Sequence, residues 1–140
     1  MTVRAWTRRL AVVTAFLAAG CNLPQGSSTS PSGDTTTTTF SGTLTPRGAP
    51  VFFTFTTAAN GTVAVTLTSV SPSTTSGIGL GLGTPSGTTT CTLSNFTTSA
   101  VPSSTAQISI NETAGSYCAQ VYDPGSLNST TTFSISVSHS

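Results

Sequence analysis

The sequence predicts an all-β domain: an antiparallel, jelly-roll-like β-sandwich of about 7–8 strands, preceded by a cleaved signal helix and a disordered tether. Three observations carry this. Apolar residues recur at every second position in short runs, which is the period of half-buried strands. Thr and Ser make up more than a third of the 140 residues, and Thr and Val suit a pleated surface because branching at Cβ packs well there. Gly, Pro and Asn cluster between the runs, and no helical period appears in the domain.

Charge is scarce. All four basic residues are arginines, three of them at positions 4, 8 and 9, and the acids are Asp34, Glu112 and Asp123. Without the first twenty residues, one positive charge faces three negative ones, a net of −2. This leaves no basic footprint for nucleic acid and few groups for acid–base chemistry.

The first element is Met1 to Arg9, cationic and free of acids. Leu10 to Ala19 (LAVVTAFLAA) is apolar but too short for a transmembrane helix, which takes roughly 20 such residues. It matches the apolar region of an export signal. Ala18-Ala19-Gly20-Cys21 resembles the lipobox of bacterial lipoprotein signals, with Ala18 where leucine is usual and Leu17 one place earlier. The resemblance implies cleavage between Gly20 and Cys21, diacylglycerol on the Cys21 thiol and an acyl group on its new amine. It implies no other cofactor. Two or more acyl chains anchor stably where one is marginal. The protein would then be exported and held to the bacterial membrane through Cys21. Asn22 stands where an aspartate retains some lipoproteins at the inner membrane, which favours the outer membrane or cell surface. The alternative is a plain secretory signal cut after Gly20 or nearby, with Cys21 incidental. Thr7-Arg8-Arg9 also resembles a twin-arginine export signal.

The expected organisation is a signal at 1–20, a lipidated N-terminus and flexible tether at 21–38, and the sandwich at 39–140. Gly, Ser, Pro and Thr dominate the tether, which spans on the order of 20–25 Å as a flexible coil.

The first strand is expected over Thr37 to Leu44. Pro50 to Thr57 follows, with Val51, Phe53 and Phe55 on one face, and then a strand carrying Val63, Val65 and Leu67. Asn60-Gly61 between these two runs is a strong hairpin signal, since both residues tolerate positive φ. Gly77-Ile78-Gly79-Leu80-Gly81-Leu82-Gly83 is not a dinucleotide fingerprint, because glycine strictly alternates and no helix follows. The period of two puts Ile78, Leu80 and Leu82 on the core face and the glycines on the other. Ile108 and Ile110, then Tyr117, Ala119 and Val121, then Phe133, Ile135 and Val137 mark three further strands.

With Cys21 set apart, Cys91 and Cys118 form an even pair in a chain bound for an oxidising compartment. A Cys91–Cys118 disulfide is expected on the outer face of a sheet, because Cys118 alternates with Tyr117 and Ala119. Two cysteines and a distant His139 are too few for a zinc site.

FSGTL at 40–44, VFFTFTTAANGTVAVTLTS at 51–69 and TAGSYCAQVYDPGSLNSTTTFSISVS at 113–138 together resemble the bacterial pre-peptidase C-terminal (PPC) domain. In that family the second block is a hairpin, and so is the third. The resemblance covers roughly residues 39–139. It implies a compact β-sandwich or jelly roll, usually appended to exported proteins and without catalytic residues. Some relatives bind calcium through an Asp-x-Asp-Leu-Tyr strand, but this chain has Gly77-Ile78-Gly79-Leu80-Gly81 there. Calcium takes several oxygen ligands, carboxylates among them, so no metal is expected.

No G-x-S-x-G elbow accompanies the many serines. The sole histidine, His139, is expected in a solvated tail, and Glu112 and Asp123 in turns. The chain is thus expected not to be an enzyme. The reading favoured is a non-catalytic envelope or surface module, whose partners are the membrane, through its anchor, and an envelope protein or polysaccharide. The alternative is a carbohydrate-binding module using outward aromatics, Tyr122 first and Phe52 and Phe96 behind it. Four Asn-x-Thr triplets, at Asn60, Asn95, Asn111 and Asn128, would matter only in a eukaryotic host.

Overall fold

The computed structural model describes residues 34–73 and 77–140. These residues form eight strands and no helix: β1 (Thr36–Leu44), β2 (Val51–Thr57), β3 (Gly61–Ser71), β4 (Ile78–Ser86), β5 (Thr90–Ala100), β6 (Ile108–Glu112), β7 (Gly115–Tyr122) and β8 (Thr131–His139). They make two four-stranded antiparallel sheets, ordered β1-β8-β3-β6 and β2-β7-β4-β5. The expected β-sandwich is therefore present. The pairing is nested: β4 with β5, β3 with β6, β2 with β7 and β1 with β8. One long four-against-four hairpin is rolled up, so that β8 also pairs with β3 and β7 with β4. That is the jelly-roll arrangement.

The nesting corrects two local expectations. Asn60-Gly61 is not a hairpin turn, because β2 and β3 lie in different sheets. The Asn60 Oδ1 accepts a hydrogen bond from Ala114 N at 2.9 Å, and Ala58 N donates to Ser140 O at 3.1 Å. These bonds tie the crossing segment to the β6–β7 link and to Ser140, a role that the Asn-Gly pair alone does not reveal. The 113–138 block is not a closing hairpin either, since β7 and β8 also belong to different sheets. Among the described strands, only β4 and β5 are both consecutive and paired.

Period-two alternation sets the core. Leu67, Leu80, Val121 and Ile135, one from each central strand, are completely buried. Each such side chain contributes about 1.5–3 kcal/mol relative to exposure. Phe53 fills the β1–β2 side of the core, stacked on Phe40 at 4.8 Å and edge-on to Phe133 at 6.3 Å. The first ladder begins at Thr36, paired with His139, three residues ahead of the expected domain boundary.

The two outer faces differ in chemistry. On the first sheet, Thr37, Thr39 and Ser41 stand opposite Ser138, Ser136 and Ser134. Two of these pairs bond through their hydroxyls, Thr37 Oγ1 to Ser138 Oγ at 3.4 Å and Ser41 Oγ to Ser134 Oγ at 2.7 Å, and Thr68 Oγ1 donates to Ser134 O at 3.0 Å. Hydroxyls wet this face without charge. The second sheet carries aromatics and glycines outward, and it holds the candidate site.

Candidate functional site

The outer face of the second sheet is built on β4. As expected, Ile78, Leu80 and Leu82 point into the core and are completely buried. The opposite, glycine face is not bare, however: Gly79, Gly81 and Gly83 are buried too. A Cβ on Gly79 would lie 2.3 Å from the Tyr122 ring, and one on Gly81 would lie 2.6 Å from Leu93 Cδ1. Each glycine makes room for what covers it.

Gly83 is covered by backbone. A Cβ there would sit 1.9 Å from Thr92 O. The β4–β5 register shifts between Leu82 and Gly83, which marks a bulge, and bulges bend strands. Beyond Gly83, which pairs with Cys118, β4 has no further partner in β7. Cys91 of β5 and Cys118 of β7 flank β4, so a flat sheet would hold them about 9–10 Å apart. Their Cα atoms are 6.0 Å apart and their sulfurs are bonded. The β4–β5 hairpin therefore folds over the outer face, and the expected disulfide pins it there.

The folded hairpin creates a cleft of about 490 Å³. Its floor is the outward face of β2 and β7, with Phe52, Thr54, Thr56 and Ser116, and its wall is the hairpin, with Pro85 and Thr88. The bridge closes one side, because Thr54 pairs with Cys118 and Pro85 with Cys91. Phe52 is half-buried, while Thr54, Thr56, Thr88 and Ser116 are exposed. These lining residues include no charged side chain.

Tyr122 is half-buried and lies across Gly79, with its hydroxyl donating to Thr97 O at 3.5 Å. Phe96 is 64% exposed on the edge strand β5. The cleft brings in Phe52 and leaves out Tyr122 and Phe96. Gly20 and Cys21 lie outside the described residues.

His139 is not in a solvated tail. It ends β8, is 8% exposed and stacks on Phe55 at 5.2 Å. The terminal strand is held in the middle of its sheet, so nearness to the chain end does not free it. Glu112 is not in a turn but closes β6, opposite Gly61. Asp123 does sit in a turn, where it organises the backbone. Its Oδ1 accepts from Gly125 N (2.8 Å), Ser126 N (2.8 Å) and Leu127 N (3.1 Å), and its Oδ2 from Arg47 N (2.9 Å). Burial raises the Asp123 pKa, but these four donors outweigh it and hold the carboxyl below its ordinary 3.8. Among the described residues, no three His, Cys, Asp or Glu side chains gather where they could hold a metal.

The cleft residues Thr54, Thr56, Thr88 and Ser116 are not marked by the sequence as a site. The alternation in β2 does put Phe52, Thr54 and Thr56 on one face. Nothing local reports that a hairpin thirty residues later folds over them. No family model matches this chain, no curated protein matches it, and no solved structure matches it.

Proposed function

We propose that the chain is an exported bacterial envelope protein, lipid-anchored through Cys21, which displays a non-catalytic, PPC-like jelly roll at the membrane or cell surface. One observation carries the reading. Cys91 and Cys118 are bonded to each other, so the third cysteine, Cys21, is left alone beside a short apolar run with small residues before it. The bridge also suits an oxidising compartment. The non-catalytic part is supported by His139 stacked against Phe55 and by an Asp123 carboxylate taken up by four backbone donors. Labelling cells with palmitate tests the anchor: wild type should carry label and partition with membranes, and Cys21→Ser should do neither. Equal labelling of both would end this reading.

A second reading, carbohydrate binding, is favoured by the outer face of the second sheet, where Phe52, Tyr122 and the exposed Phe96 present aromatic surface. Retention on polysaccharide tests it: a wild-type chain that no polysaccharide retains would end it.

A further inference from the structure

We infer that the cleft beneath the β4–β5 hairpin, not Tyr122, is a binding site for a neutral oligosaccharide, with Phe52 as its stacking platform. This rests on the carbohydrate-binding reading and deepens it by placing the site.

A ligand site is a concavity with apolar surface and a few convergent polar groups, usually about 300–1,000 Å³ in volume. The cleft, at about 490 Å³, falls in that range. Phe52, Phe55 and Pro85 supply the apolar surface. Thr54, Thr56, Thr88 and Ser116 supply four hydroxyls, none of which is taken up by a side-chain hydrogen bond among the described residues. On the first sheet, by contrast, Ser41 and Ser134 spend their hydroxyls on each other. Hydroxyls both donate and accept, so four unspent ones around an aromatic face match a ring that is apolar on its flat side and hydroxylated at its rim.

The walls disfavour charged and wholly apolar ligands. An anion needs a cation or a nest of N–H groups, and the lining residues carry no cation. A cationic ligand needs carboxylates, and none lines the cleft. A wholly apolar ligand would bury the four hydroxyls unpaired, at a cost of about 1–3 kcal/mol each.

Tyr122 is a poorer platform. One side of its ring is already committed to Gly79, and its hydroxyl points to Thr97 O. The cleft also owes its wall to a covalent device, since the Cys91–Cys118 bond keeps the hairpin over the floor.

The test is titration of the purified full chain, monitored by calorimetry and by amide NMR shifts. The probes are cellotriose, maltotriose, xylotriose and chitotriose, with tri-galacturonate and tri-alanine as charged and peptide controls. At least one neutral trisaccharide should bind saturably and shift the amides of Gly87, Thr88 and Ser116. Phe52→Ala should weaken it about tenfold, as expected for loss of one stacking face, and Tyr122→Ala should leave it unchanged. Thr88→Arg, on the exposed wall, should abolish binding, and it checks the site without touching the sheet. If trisaccharide binding is lost in Tyr122→Ala but kept in Phe52→Ala and Thr88→Arg, the cleft is wrong and carbohydrate binding stands. If no neutral probe binds at millimolar concentration, or only a control does, both fall.

Discussion

The backbone of Thr92 crosses directly over Gly83, so closely that a Cβ on Gly83 would meet the Thr92 carbonyl oxygen at 1.9 Å. Neither backbone can yield as a side chain could. Gly83→Ala is therefore expected to lift the β4–β5 hairpin off the sheet. Thermal unfolding should show a loss of about 1–3 kcal/mol, the usual range for overpacking in a buried site. Free-thiol titration should show incomplete Cys91–Cys118 pairing. Wild-type stability in Gly83→Ala would mean that Thr92 does not cross over Gly83 so closely.

The disulfide should contribute mainly through the unfolded chain. It links residues separated by 27 positions, for which loop closure gives about 3–4 kcal/mol. The double variant Cys91→Ser/Cys118→Ser should lose about that much in urea unfolding. It should also lose amide-exchange protection over 84–92 more than over the β3–β8 ladder, because the bridge holds the hairpin and not the first sheet.

Asp123 links the β1–β2 loop to the turn after β7 through Arg47 N on one oxygen and three N–H groups on the other. Asp123→Asn keeps one acceptor oxygen near the surface and should cost about 0.5–1.5 kcal/mol, the net scale of an ordinary hydrogen bond. The pH dependence follows from a lowered folded-state pKa. The carboxylate's contribution is complete above the unfolded value near 3.8 and is lost as pH falls through the lower folded value. Wild type should lose stability over that acid range, and Asp123→Asn should lose less.

Packing, not solvation, should decide what His139 tolerates. Its ring lies on Phe55 at 5.2 Å. His139→Phe should keep stability within about 1 kcal/mol, and His139→Ser should lower it by about 1–2 kcal/mol through lost apolar burial. A freely solvated residue would show no difference between the two variants in chemical denaturation.

The alternation of Val63, Val65 and Leu67 or of Phe133, Ile135 and Val137 makes the strands and their inward faces legible, because burial of one face leaves a period of two in the residues themselves. Cys118 is placed outward by the same logic, and the bridge to Cys91 follows. What the residues do not carry is which strand lies beside which. Asn60-Gly61 has the chemistry of a tight turn but joins strands in different sheets, since pairing with β7 and β8 overrides local preference. β5 leaves almost no trace: two bulges break its alternation, and most of its side chains are polar on an edge. The candidate cleft is invisible for the same reason, because it exists only where that strand folds over its neighbours.

The nested ladder also fixes an order of events. β1 is made first and its partner β8 last, with Thr36 opposite His139. During synthesis, or during any passage led by the N-terminus, β1 must wait unpaired for almost the whole chain to arrive. Long-range pairing of this kind folds slowly and leaves waiting strands open to wrong partners. The opening Thr36-Thr37-Thr38-Thr39 is strand-forming yet barely apolar. It can hold its place in the queue without recruiting a stranger.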